Sequence, residues 1–244
     1  MTSRSPAILA QALVIPLALS VWSNVSAEEK SPWEAEIELG IINTTGNTES
    51  QTISSKAMGE YNVERWRHKA NLESLVSSDT SGTSAERYLI AEKSDYKFTG
   101  DIAYVFTQVD YEADRFSGYN YRSTIALGYG RKLIKQDNLN LEAEIGGGYR
   151  QSEISTNSDI SEETLSRAAA NLKWKITSHS SFRESVSVDI GSDATITKSV
   201  TALKSQVNGN LATKLTYTVK NTSDVPVGIE KTDTETAFTL VYNF

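Results

Sequence analysis

Residues 33–41, Trp33-Glu34-Ala35-Glu36-Ile37-Glu38-Leu39-Gly40-Ile41, decide the fold. Apolar side chains alternate with Glu34, Glu36, Glu38 and Gly40 without a slip. An extended strand puts Trp33, Ala35, Ile37, Leu39 and Ile41 on one face and the three carboxylates on the other. A helix would scatter both sets around its circumference, so the segment reads as a strand with one apolar and one charged face.

The same period of two recurs along the chain. Phe238, Leu240, Tyr242 and Phe244 alternate with Ala237, Thr239, Val241 and Asn243. Trp66, His68, Ala70 and Leu72 stand against Arg67, Lys69, Asn71 and Glu73, and Tyr121 to Tyr129 does the same around Arg122 and Thr124. Leu141 to Tyr149 alternates with Glu142, Glu144 and Arg150, and Ala168 to Ile176 faces away from Asn171, Lys173 and Lys175. The runs predict twelve strands near 33–43, 50–61, 66–77, 87–98, 102–112, 120–131, 139–150, 164–177, 182–191, 196–206, 211–221 and 232–244. The faces of 102–112 and 196–206 do not sort. Most runs are about 10–14 residues long, nearer the ~9–11 of a tilted membrane strand than the ~5–6 of a soluble one.

The connections alternate in kind. Polar stretches at 44–48, 77–86, 151–163 and 221–231 read as long loops, and 62–65, 99–101 and 178–181 as short turns, the pattern of an up-and-down barrel with its loops outside the cell. On that topology Trp33, Trp66, Trp174, Phe98, Phe182, Tyr242 and Phe244 fall near the periplasmic strand ends. Tyr88, Tyr111, Tyr121, Tyr149 and Tyr217 fall near the opposite ends. Two aromatic belts at two membrane interfaces are expected. A soluble barrel would put its large rings mid-strand. The terminal Phe244 is the usual address for the barrel-assembly machinery, which makes that machinery an expected partner.

The first 27 residues read as a secretory signal peptide. Arg4 is followed by an uncharged apolar run over 6–21, and Val25-Ser26-Ala27 supplies small residues at cleavage spacing. The remainder, 28–244, is the expected barrel domain. Its formal charge is −8, since removing Arg4 lowers the whole-chain value of −7 by one. A balance this acidic argues against nucleic acid and against a polybasic membrane-surface binder. The absence of cysteine excludes disulfides, thiolate metal sites and a cysteine nucleophile. Mean hydropathy is −0.37, but an average cannot see a lipid face hidden in alternation.

No residue set reads as catalytic, cofactor-binding or metal-binding. His68 falls on the predicted lipid-side row, and His179 lies in the turn Thr177-Ser178-His179-Ser180-Ser181. A serine–histidine pair of the outer-membrane phospholipase kind needs nucleophile, base and orienting group together, and a short turn supplies no third member. Glu34, Glu36, Glu38, Glu142 and Glu144 read as lumen-lining carboxylates facing Lys56, Arg67, Lys69, Arg150, Lys173 and Lys175, because a hard-cation site needs more converging oxygens than one strand offers. Gly128, Gly130 and Gly146-Gly147-Gly148 precede no helix that could receive a phosphate and read as places of tight curvature or close approach. Asp79, Asp159, Glu162, Glu163 and Asp224 read as solvated loop charge at the lipopolysaccharide surface.

At several of these residues the chain resembles a family of bacterial proteins known as salt-induced outer-membrane proteins (domain of unknown function 481). The resemblance rests on residues 33–40, the turn Thr44-Thr45-Gly46-Asn47-Thr48, Trp66-Arg67 and Asp114-Arg115-Phe116 with Gly118. It continues through Gly128-Tyr129-Gly130, Gly147-Gly148-Tyr149-Arg150 and the Phe-terminated last strand. It covers essentially the whole chain after residue 27. The resemblance implies an outer-membrane barrel and no agreed activity. The expected function is a non-enzymatic envelope protein, either a narrow channel for small solutes or ions, or a structural barrel that supports the membrane under osmotic or salt stress. The alternatives are a lipid-active hydrolase and a soluble periplasmic lipid-binding β-protein.

Overall fold

The structure, a computed structural model, describes residues 31–45, 50–79, 82–114 and 117–244. The expected signal peptide and the centre of the 44–48 turn lie outside these residues. The described residues form twelve strands and no helix. They are β1 (Trp33–Thr45), β2 (Ser50–Val63), β3 (Trp66–Asp79), β4 (Gly82–Lys97), β5 (Ala103–Asp114) and β6 (Tyr119–Lys135). The second half holds β7 (Leu139–Ile154), β8 (Ile160–Lys175), β9 (Ser180–Gly191), β10 (Thr195–Asn208), β11 (Leu211–Thr222) and β12 (Thr232–Asn243).

Each strand pairs antiparallel with its sequence neighbours, and β1 closes on β12 through pairs such as Ile37↔Tyr242 and Leu39↔Leu240. Closure leaves no free sheet edge. Followed around the ring, the register returns to β1 displaced by about sixteen residues. A stagger of that size in a ring of twelve tilts the strands by about 40–45° and gives a radius of about 12–13 Å.

Alternation sorts the faces as the pleat requires. Ile37, Leu39, Leu72, Ile90, Leu127 and Ile145 point outward and are exposed. Glu38, Arg67, Asp95, Glu144 and Arg150 point inward and are buried. The two runs that do not sort in sequence are both strands. On β5, Tyr104 and Phe106 are apolar rings that face inward. On β10 the expected polarity is nearly reversed, with Ile196 and Ala202 buried inside while the outward row between them is Thr197, Ser199 and Thr201.

The inward rings have a local cause. A side chain at Gly130 would overlap the Tyr104 ring, and a β-carbon at Gly128 would lie 2.7 Å from the tip of Phe106. Glycine on β6 therefore gives the rings of β5 a flat bed on the inner wall.

Two expected features need correction. The polar stretches 77–86 and 151–163 are mostly ladder and not long loops: β3 and β4 pair out to Asp79↔Gly82, and β7 and β8 pair out to Glu153↔Ile160. Backbone donors and acceptors find each other across a hairpin whether or not the side chains are apolar. Asp79 and Glu163 are accordingly strand residues, with Glu163 buried on the inner wall. Tyr217 sits in the middle of β11, opposite Thr201 and Thr236, and not at a strand end.

Candidate functional site

The functional surface with the most built structure is the inner wall. Its densest part lies on β3–β7. Arg67 on β3 donates from Nε to Asp95 on β4 at 2.6 Å, and its two terminal nitrogens reach Glu142 on β7 at 2.9 and 3.0 Å. Tyr104 donates its hydroxyl to Glu144 at 2.6 Å, with Glu142 at 3.0 Å. Lys93 pairs with Glu144 and lies 4.6 Å from the centroid of Phe106. Strands three and four positions apart are thus tied through the interior, and Asp95 is 0 % exposed.

The other expected lumen residues find separate partners. Glu36 and Glu38 on β1 take Lys204 and Lys214 at 2.6 Å each, from β10 and β11. Lys56 pairs with Glu73 at 2.5 Å, and Arg150 with Glu163 at 2.6 Å. Lys173 comes only within 3.9 Å of Glu60. Lys69 faces inward with no hydrogen bond or ion pair among the described residues. Glu34 and Lys175 are exposed at the ends of β1 and β8.

Several partners are not legible in sequence: Asp95, Tyr104, Glu163, Lys204 and Lys214. Lys204 and Glu36 are 168 residues apart, and only closure of the ring brings them together. The signal available was the inward parity of their strands, which narrows the candidates without pairing them.

Further ion pairs cross the lumen. Arg87 on β4 meets Glu235 on β12 at 2.8 Å. Lys220 on β11 holds both oxygens of Glu112 on β5 at 2.8 and 2.9 Å, although these strands are six positions apart in a ring of twelve. Extended lysine and glutamate side chains span about 13 Å between backbones. A round barrel of this tilt would measure about 25 Å across, so the wall is drawn inward here and the lumen is oval.

The bridge divides the interior. A cavity of about 390 Å³ lies mainly along β5–β9, and one of about 370 Å³ lies mainly along β10–β12 and β1–β4. Glu112, Lys198 and Lys220 line both, so they form the partition. Above the bridge, the loop after β11 crosses to the β5–β6 turn. A β-carbon at Gly118 would lie 2.9 Å from Ile229 and 3.2 Å from Pro226.

The outer face carries the aromatics of the two belts. Trp33 packs on Tyr61 with centroids 4.3 Å apart, and Trp66 on Tyr96 at 5.1 Å. Tyr242 packs on Phe244 at 4.8 Å, and Trp174 is exposed near the same end of the barrel. Tyr88 and Tyr149 are exposed toward the opposite end, where Tyr111 stacks on Tyr121 at 5.8 Å.

The same face holds His68, as its parity predicts, together with polar partners not singled out in sequence. His68 Nδ1 lies 2.7 Å from Ser94 Oγ, which donates to Glu92 at 2.6 Å. Glu92 is also 3.7 Å from that same Nδ1. A nucleophilic relay places the carboxylate on the ring nitrogen away from the serine; here both sit at Nδ1, and the serine proton is engaged by the carboxylate. Glu184 on β9 accepts from Ser199 at 2.8 Å and Thr201 at 2.6 Å. His179 lies 2.8 Å from Ser178 in its exposed turn. Among the described residues no three His, Asp or Glu side chains converge as metal ligands would.

A family model described as "Protein of unknown function, DUF481" matches residues 37–244. The uncharacterized protein YdiY of Escherichia coli is 28% identical over 220 residues, covering 89% of this chain and 85% of that protein. The NanC porin shares the fold with a TM-score of 0.58 and 9% identity, over 84% of this chain and 98% of its own. The translocator domain of the autotransporter NalP from Neisseria meningitidis gives a TM-score of 0.55 at 11% identity, over 89% and 90%. An outer membrane channel from Pseudomonas putida gives 0.52 at 10% identity, over 89% and 97%.

Proposed function

This chain belongs to the DUF481 family of proteins of unknown function, and from that premise we propose that it is an outer-membrane barrel that passes small hydrophilic solutes through its charged lumen and does no chemistry on them. The observation that carries this reading is the inversion of polarity. Leu127 and Ile145 are 67% and 66% exposed, whereas Glu144 is 3% exposed on the inner wall. A water-soluble barrel would expose the carboxylate and bury the aliphatics. A barrel in lipid does the reverse, with aromatic rings at both borders of the apolar band. Export through residues 1–27, assembly through β12 and the Phe244 that follows it, and contact with lipopolysaccharide belong to the same reading.

Purified barrel in planar bilayers is expected to give discrete conductance steps. A correctly folded barrel that stays silent would sink the passage reading. The Glu112–Lys220 bridge and the 223–231 loop narrow the outer half, so Glu112→Ala with Lys220→Ala should raise single-channel conductance about twofold. An unchanged step size would show that current does not pass this partition.

The outer face gives a stability prediction. Glu92 lies midway along β4 between Tyr88 and Tyr96, which puts its carboxylate at mid-depth of the apolar band. Glu92→Leu should stabilise the barrel in lipid vesicles by about 1–2 kcal/mol, measured by urea unfolding. Destabilisation of that size would mean that the contacts to His68 and Ser94 outweigh the cost of placing a carboxylate against lipid.

A further inference from the structure

The two cavities differ in charge. Among the described residues, the one along β5–β9 is lined by eight cationic side chains and five carboxylates, the other by six cationic side chains and seven carboxylates. In the first, Glu112, Glu142, Glu144 and Asp189 are each held by an arginine or lysine. Asp110 takes a hydrogen bond from Gln108 at 2.8 Å and has no ion pair among the described residues. Against that single carboxylate stand Lys69, Lys198 and Arg122, none with a hydrogen bond or ion pair among the described residues. Arg122 lies over the Tyr119 ring, 4.1 Å from its centroid.

These three cations are spaced along the cavity. Lys69 is the fourth residue of β3, near the end that carries Trp66. Arg122 and Lys198 are the fourth residues of β6 and β10, strands that start from the opposite end. Charge unneutralised by protein in a water-filled, low-dielectric tunnel concentrates mobile counter-ions of the opposite sign. Rings and rows of such side chains set the sign of ion selectivity in pores.

Building on the passage reading, we infer that the β5–β9 half of the lumen selects small oxyanions, carboxylates or inorganic phosphate, and hands them along Lys69, Lys198 and Arg122. Its volume suits a small hydrated anion: about 390 Å³ holds on the order of ten waters. Among the described residues the other half has no such surplus, and it contributes little to anion flow.

The test is the reversal potential across a potassium chloride gradient. Chloride is expected to pass at least about three times as readily as potassium. Phosphate added at millimolar concentration should reduce the chloride current, since it competes for the same cations. Lys69→Gln and Lys198→Gln, each checked for folding by heat-modifiable gel mobility, should move the reversal potential toward zero. Lys56→Gln, in the other half and already paired with Glu73, should leave it unchanged. A conducting barrel that prefers potassium, or one in which Lys56→Gln acts as strongly as Lys69→Gln, overturns the assignment while leaving the passage reading intact. A folded barrel that is silent overturns the passage reading itself.

Discussion

Arg67→Met should destabilise the barrel by about 3–5 kcal/mol. Among the described residues Arg67 is the only group that neutralises Asp95 through a direct hydrogen bond, at 2.6 Å, and Asp95 is 0% exposed. The same guanidinium also holds both oxygens of Glu142. Removing it leaves two inward carboxylates beside Glu144 with only lysine counter-charge, Lys93 being 3.5 Å from the second Asp95 oxygen. Taking charges out of water is costly, and an orphaned buried charge costs more than the intact pair returns. Asp95→Asn added to Arg67→Met should therefore recover part of the loss. A double-mutant cycle by urea unfolding in vesicles should show a coupling of about 1.5 kcal/mol or more. Loss of less than about 0.5 kcal/mol in the single variant would place Arg67 in the range of surface pairs and contradict a structural role.

Gly128→Val should be as damaging by a different route. A β-carbon at this position would fall on the carbonyl oxygen of Ile145 and lie 2.8 Å from the Cα of Gly146, both on the partner strand, with the Phe106 ring tip at 2.7 Å. Backbone atoms cannot turn aside as a side chain can, so β6 and β7 would have to separate and lose ladder hydrogen bonds. The expected cost is about 3 kcal/mol or more, read as a marked fall in the heat-modifiable folded fraction after refolding. Gly59→Val is the control, because nothing lies within 4 Å of its added β-carbon. Equal folding of the two variants would show that the close approach of β6 and β7 is not required.

The barrel is legible in the sequence wherever a strand has one apolar and one polar face, as in residues 33–41. Parity then separates the two faces, and it directs Arg67, Glu142 and Glu144 to the face opposite the aliphatic row. Legibility fails where composition and direction part company. Tyr104 and Phe106 are rings pointing inward, which only the glycines of the neighbouring strand explain. Thr197, Ser199 and Thr201 are hydroxyl side chains pointing outward, which only the register of β10 and the contacts of Ser199 and Thr201 to Glu184 explain. Partner choice inside the lumen is a third kind of information. Glu112 and Lys220 are 108 residues apart and on opposite walls, so their meeting depends on the stagger of the ring and on its flattening. Neither is written in any local pattern. The partition, and with it the charge difference between the two half-lumens, therefore emerges only from the closed structure.

In the proposed barrel lipid surrounds the outer row and water fills the inner one, and the chain's lack of cysteine makes this directly measurable. Single cysteines at positions 88–97 of β4, in barrel reconstituted into vesicles, can be tested with a water-soluble maleimide and with a nitroxide quencher carried on the lipid chains. Strict alternation is expected: positions 90, 92, 94 and 96 quenched from the lipid and slow to react, positions 89, 91 and 93 reactive from water and unquenched. Uniform reactivity along the strand, or quenching of both rows, would contradict a membrane-spanning barrel with a hydrated interior.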